Sequence, residues 1–183
     1  MIVVNATVLS NLSRVDRLGI LKELYGNIVI PIQVYEEILQ GISEGYCFLE
    51  TVDKVAEEGW TVFEAPTSKE GRKCFKELLV SVDYGEAAGI AVAKEQGLLF
   101  FSDDKKARQV AKEQGLEVSG TLGSLKPARQ RSRSGEAGGL AVEEGMISIE
   151  EADKVLGEMI RGGYRSPIES MKELFESEEE GRD

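Results

Sequence analysis

The chain of 183 residues predicts an α/β fold, a three-layer sandwich with a parallel central sheet. Three observations predict it. Residues 2–4 (Ile-Val-Val) form a short, wholly apolar, β-branched run, as a strand covered on both faces requires. Strand-like and helix-like stretches then alternate along the chain, the order of a layered α/β architecture. Finally, "AKEQGL" occurs at 93–98 and again at 111–116, each time as a helix end, a terminating glycine and the first residue of a strand. The strand–helix–strand unit so marked implies a right-handed crossover and parallel pairing.

Taken in order, the first strand at 2–4 is followed by helical patterning from Thr7 to Leu24, with a break near Asp16 and an end at Gly26. "NIVIP" (27–31) is the second strand. "IQVYEEILQG" (32–41) is a helix ended by its glycine, and a further helix covers 44–58. "WTVF" (60–63) reads as a short edge strand, and helices follow over 68–79 and 84–96. "LLFFS" (98–102) and "LEVS" (116–119) are strands, joined by the helix "DDKKARQVAKEQG" (103–115). Residues 1–125 thus make one α/β domain.

Beyond Leu125 the texture changes. "KPARQRSRSGEAGG" (126–139) has Pro, Gly, Ser and the cations Lys126, Arg129, Arg131 and Arg133 without apolar periodicity, and reads as a flexible linker or solvated loop. Residues 140–176 hold C-terminal helices that pack on the domain or on a partner. One is the amphipathic 146–160, and another covers 166–175, with Ser166 as N-cap and Pro167 at N1. Residues 177–183 form an acidic tail.

Composition removes several chemistries. There is no histidine, which excludes His-dependent triads and His-containing zinc motifs. Cys47 and Cys74 are too few for a disulfide framework and too far apart for a metal knuckle, so a reducing cytoplasm is the expected location. No apolar run approaches membrane-spanning length, so no membrane partner is expected. The net charge of −11 repels nucleic acid at long range, so such binding needs local cations or bridging metal.

The candidate site consists of oxygen donors. In an open parallel sheet, functional groups collect at the C-terminal ends of the strands. Asn5 stands at the first such end, and Asp103–Asp104 stand after "LLFFS". One aspartate would suffice to cap the following helix, so a pair leaves capping and site roles evenly balanced. Asp83 and Glu86 have capping-box spacing, yet Glu86 shares a small apolar face with Ile90 and Ala93, where an uncompensated carboxylate is costly. Glu36 and Glu37 flank the apolar stripe of Val34, Tyr35, Ile38, Leu39 and Ile42 about equally, and periodicity does not choose between them. Carboxylates converging on one pocket repel, and a hard divalent cation, Mg²⁺ or Mn²⁺, relieves that repulsion.

Three stretches carry a resemblance to a known family: "IVVNATVLSNL", "IVIPIQVYEEILQG", and "DYGEAAGIAVAKEQGLLFFSDDKKARQVAKEQGLEVSGTLGSL". Over residues 1–125 the chain resembles PIN-domain proteins, the ribonuclease-type fold found in toxins of VapBC-type toxin–antitoxin pairs. "MISIEEADKVLGEMIRGGYRSPIESMKELF" also resembles the C-terminal helices of one branch of that family. The resemblance implies that Glu37, Glu86 and Asp104 are catalytic, metal-holding acids, with Asp103 as a substitute for Asp104 and Thr7 supporting the first position. It departs at that first position, where Asn5 replaces an acid; this branch therefore carries one negative ligand fewer.

What the resemblance implies in function is a Mg²⁺- or Mn²⁺-dependent endoribonuclease, reduced in activity by Asn5. RNA would be its substrate, a small antitoxin protein its partner, and a homodimer its assembly. Lys105, Lys106 and Arg108 are candidate RNA contacts, although exposed helix charge is the favoured explanation of them. The alternative is a PIN fold that binds RNA or protein without cutting. An unrelated phosphatase of response-regulator or haloacid-dehalogenase type needs a phosphorylatable acid where Asn5 stands, and is disfavoured.

Overall fold

The computed structural model describes residues 1–125 and 148–173. Within them, β1 (Ile2–Val4), β2 (Ile28–Pro31), β3 (Thr61–Glu64), β4 (Leu99–Phe101) and β5 (Val118–Ser119) form one parallel sheet in the order β3-β2-β1-β4-β5. The register sets Ile2 beside Ile28 and Leu99, and Val4 beside Phe101. Successive strand residues point to opposite faces. Ile2, Val4, Ile28, Ile30 and Phe101 enter one core, and Val3, Val29 and Phe100 enter the other. That is why β1 reads as an uninterrupted apolar run rather than an alternating one.

Helices cover both faces. The first core receives side chains from α1 (Ala6–Ser13), α2 (Gly19–Tyr25), α3 (Ile32–Ser43) and α4 (Glu50–Glu57). The second receives them from α5 (Lys69–Leu78), α6 (Tyr84–Gln96) and α7 (Lys105–Glu113). Helix α6 is buried at every position from Gly85 to Ala93, so its small residues press it between the sheet and its neighbours. A single turn, α8 (Thr121–Ser124), follows β5.

Helix α9 (Ile149–Arg161) begins at Ser148, whose hydroxyl accepts the Glu151 N–H at 3.1 Å. Its Ala152, Val155, Leu156 and Met159 are buried in the first core beside Leu125 and Met171. Arg17 adds a two-pronged ion pair to Glu158, Nε–Oε2 at 3.1 Å and Nη2–Oε1 at 3.3 Å. Among the described residues no helix is long and apolar enough to cross a membrane.

Several element boundaries depart from the sequence reading for identifiable reasons. Helix α3 does not stop at Gly41 but runs to Ser43, and Gly45 with φ of 97° takes the turn. Gly41 serves packing, since a Cβ there would lie 2.6 Å from Leu49 Cδ1. Leu39, assigned to the apolar stripe, is 43 % exposed. The expected helix over 44–58 is a 3₁₀ turn at Cys47–Leu49 followed by α4. Ser166 and Pro167 do not open a helix: helical structure resumes only at Met171, where Asp153 accepts from the Met171 N–H and the Ser170 hydroxyl. The Arg-rich 126–139 stretch, with its Lys126, Arg129, Arg131 and Arg133, and the 177–183 tail lie outside the described residues.

Because Leu156 is fully buried against the strand-packing core, Leu156→Ala is expected to cost about 3 kcal/mol of unfolding free energy. Urea denaturation of the full chain checks this. A loss below about 1 kcal/mol would mean that α9 is an appendage rather than part of the core.

Candidate functional site

The strand order puts β1 at the centre, with β2 on one side and β4 on the other. The chain therefore leaves β1 and β4 in opposite directions, and a crevice opens beyond their C-terminal ends. The residues that close these two strands are Asn5 and Ser102-Asp103-Asp104. The Asn5 N–H donates to the Phe101 carbonyl at 2.9 Å, which continues the sheet hydrogen bonding to the edge of the crevice.

Asn5 occupies the N-cap position of α1, yet its side chain makes no capping hydrogen bond. Its Nδ2 donates instead to Ser102 Oγ at 3.2 Å, and its buried Oδ1 has no hydrogen-bond partner among the described residues. A buried amide oxygen left unpaired costs of order 1–3 kcal/mol, and a cation or water in the crevice would recover it. Ser102 is itself fully buried, and its Oγ also accepts the Asp104 N–H at 3.1 Å. One hydroxyl thus ties the first strand end to the fourth.

Asp104 caps α7 through Oδ1, which accepts the Ala107 N–H at 2.8 Å. Besides capping, its charge also reaches Glu86, whose pKa it helps to raise. Asp103 is committed elsewhere. Its carboxylate accepts from Asn11 Nδ2 at 2.7 Å, from the Thr121 N–H at 2.7 Å and from the Thr121 hydroxyl. The Asp103 N–H donates to Thr7 Oγ1 at 3.1 Å, so Thr7 holds the turn after β4. Asp103 and Asp104 border a groove of about 440 Å³ whose other lining is Ala6, Thr7, Ser10 and Asn11.

Helix α6 brings the remaining acids. Asp83 is its N-cap, with Oδ1 accepting the Glu86 N–H at 2.9 Å, so the capping-box reading is correct as far as it goes. Glu36 is exposed, whereas Glu37 turns toward α6 and accepts the Gly85 N–H at 3.0 Å. The tertiary packing of α3 on α6 makes that choice. A Cβ at position 85 would sit 2.2 Å from Glu37 Oε1, so only glycine admits the carboxylate to this helix N-terminus. There the partial positive charge of the helix end favours it.

Electrostatically the acids form one group. Glu86 is 8 % exposed, and its pKa is pushed up to about 7 by burial first, then by the charges of Asp83, Asp104 and Glu37. Burial and Asp83 also raise the pKa of Glu37, while the Gly85 N–H opposes them. Among the described residues no three carboxylate or thiol side chains are drawn together as a finished metal cage. The donor set nevertheless fits a hard divalent cation: carboxylates in need of positive charge and an unpartnered amide oxygen, with no nitrogen or sulfur. Lys105 and Lys106 are exposed on the first turn of α7, and Arg108 Nη1 donates to the Ser102 carbonyl at 3.2 Å.

Sequence reasoning missed Ser102, Asn11 and Thr121 as organisers of the site, and it gave Asp83 a cap alone. The first three are unremarkable residues whose roles exist only across elements. For Asp83 the capping spacing was visible, but its proximity to Glu37 was not.

The PIN-domain family model (DUF3368) matches residues 1–138. The chain belongs to the PIN-domain family. No curated protein matches it. Among solved structures, the PIN domain is similar to a PilT N-terminus domain protein from the hyperthermophilic archaeon Sulfolobus solfataricus. The identity is 17% and the TM-score 0.42, and the match covers 75% of this chain and 98% of that one. The five-stranded parallel sheet of this PIN protein, flanked by helices, is a nuclease-like fold.

Two outcomes follow from these contacts. The carboxyl of Glu86 takes up a proton more readily in the folded state than in the unfolded chain, so without metal it favours folding at low pH. That contribution is complete below the unfolded value of 4.5 and is lost as pH rises through about 7. It amounts to on the order of 3 kcal/mol. Denaturation from pH 4 to 8 should show the decline, and Glu86→Gln should flatten it. Separately, Gly85→Ala is expected to destabilise the native protein by about 1–3 kcal/mol through displacement of Glu37. In a Glu37→Ala background the same change should be neutral or better; an unaltered cost there would sink the proposed contact.

Proposed function

We propose that this PIN-domain protein is a Mg²⁺- or Mn²⁺-dependent endoribonuclease. The observation that carries the reading is the nearly buried Glu86, repelled by both Asp104 and Glu37, together with the buried Asn5 Oδ1, which has no hydrogen-bond partner among the described residues. Glu37, Glu86 and Asp104 would hold the cation directly, and Asn5 would complete the ring as a neutral oxygen. The bound cation supplies a water of lowered pKa and positive charge for the scissile phosphate.

The residues around the acids each have a definable part in this scheme. Ser102 fixes the Asn5 amide by accepting from Nδ2, which leaves Oδ1 directed away from that bond. Glu86, with its proton affinity raised, is the carboxylate most dependent on a cation to remain ionised at neutral pH. Asp83 deepens that dependence from the cap of α6. Lys105 and Lys106 place positive charge one and two residues beyond Asp104, where a phosphate backbone would pass. In a chain of net charge −11 such local cations set the approach.

The toxin role, with a small antitoxin protein as partner and a homodimeric assembly, extends this reading through the sequence resemblance. A second reading is favoured by one observation, the neutral Asn5 at the first strand end: a PIN fold that binds RNA or protein with little or no cleavage. The two separate cleanly. On the nuclease reading, a mixed-sequence RNA panel is cut only with Mg²⁺ or Mn²⁺, and Asp104→Asn abolishes the cut. Binding without cleavage at any metal concentration would leave the binding module. Asn5→Asp restores the missing charge and is expected to tighten Mn²⁺ about 10-fold or more by calorimetry. Unchanged affinity would remove Asn5 from the metal site.

A further inference from the structure

Two adjacent aspartates follow β4, and only the second contributes to the Glu86 group. Asp104 caps α7 and adds its charge to the Glu86 group. Asp103 binds in another direction, to α1 through Asn11 and to the start of α8 through Thr121. Its own N–H is taken by Thr7. Every one of these bonds joins residues at least 18 positions apart in sequence, so they fix three elements relative to one another. The space for the arrangement is supplied by Gly120: a Cβ there would lie 2.5 Å from Asp103 Oδ1, 2.8 Å from Arg108 Nη1 and 3.3 Å from the Ser102 carbonyl. Both charged groups therefore close over a glycine, and Arg108 closes the turn by donating to the Ser102 carbonyl.

We propose that Asp103 is a positioning residue that clamps the β4–α7 turn to α1 and α8, keeps the Asp104 carboxylate directed into the site, and holds no metal itself. This rests on the metal-site reading of Glu37, Glu86 and Asp104. The carboxylate accepts from three donors, and hydrogen bonds to an ionised acceptor are stronger than neutral ones. An amide in its place has one accepting oxygen and two N–H groups. Asp103→Asn thus sets an N–H against Asn11 or Thr121, and the turn loses at least one of its ties. The exchange Asn11→Asp with Asp103→Asn repairs the pattern. The amide at 103 then donates to the carboxylate at 11, its oxygen still accepts the Thr121 N–H, and the Thr121 hydroxyl is able to accept as well as donate.

The experiment measures Mn²⁺ affinity by calorimetry and amide exchange by NMR on the full chain, for wild type, Asp103→Asn, the Asn11→Asp/Asp103→Asn exchange, and Asp104→Asn. Asp103→Asn is expected to weaken Mn²⁺ about 10-fold, the range for residues that orient a ligand from behind. The exchange should restore wild-type affinity to within about 2-fold, whereas Asp104→Asn should bind worst. The Asp104 and Ala107 amides should exchange faster in Asp103→Asn and return to wild-type rates in the exchanged pair. If the exchanged pair binds Mn²⁺ as poorly as Asp104→Asn, Asp103 is a ligand and the proposal is overturned. It is equally overturned if Asp103→Asn changes neither affinity nor exchange. Should the wild type bind no Mn²⁺, the metal reading fails on its own terms. The clamp is then decided by amide exchange: restored protection in the exchanged pair supports it, and unaltered protection in Asp103→Asn overturns it.

Discussion

A carboxylate taken out of water beside other carboxylates must either keep a proton or acquire a cation, and Glu86 is held in that condition by the helix it heads. Gly85 through Ala93 are all buried, so α6 has no freedom to rotate its first turn toward solvent. Such burial of an ionised group costs several kcal/mol unless something compensates. Asp83 holds the helix start and Glu37 sits on the Gly85 N–H, so the groups that order this helix end are also those that repel Glu86. The repulsion is thereby built into the packing, and removing it locally would mean dismantling the helix cap.

The sheet topology supplies the other half of the site. Because β1 pairs with β2 on one side and β4 on the other, Asn5 emerges directly beside Ser102. The Ser102 hydroxyl joins the Asn5 amide to the Asp104 backbone within the span of one side chain. Functional groups from residues nearly a hundred positions apart are set by two strand registers and one buried hydroxyl. Relative to an aspartate, Asn5 carries an NH₂ group in place of one carboxylate oxygen. The effect on charge is large, while the effect on shape is small.

Stability and site are linked through the same layers. The first core contains the strand residues that end at the crevice together with Leu156 and Met159 of α9. The Arg17–Glu158 pair fastens α9 to the loop after α1, the helix that also carries Thr7 and Asn11. A partly exposed pair of this kind adds little free energy by itself. Its value is geometric, since it fixes where the amphipathic face of α9 lies on a body whose net charge of −11 favours spreading apart.

The sequence by itself determined the layered α/β class, the parallel sheet, and most of the helices, because those follow from local period and from glycine, proline and capping residues. It also marked Asn5, Glu86 and the Asp103–Asp104 pair as unusual, since polar groups at the ends of buried strands or atop an apolar helix face stand out in one dimension. It did not separate Glu36 from Glu37, because both flank the α3 stripe at similar angles; the approach of α6 and the missing Cβ of Gly85 decided that. Nor did it divide the labour of Asp103 and Asp104, whose adjacent positions look interchangeable until Asn11 and Thr121 arrive from other elements. The reason is general to both cases. Periodicity reports which way a side chain leaves its own backbone, whereas its function depends on which distant donor or charge meets it there, and only the folded packing supplies that partner.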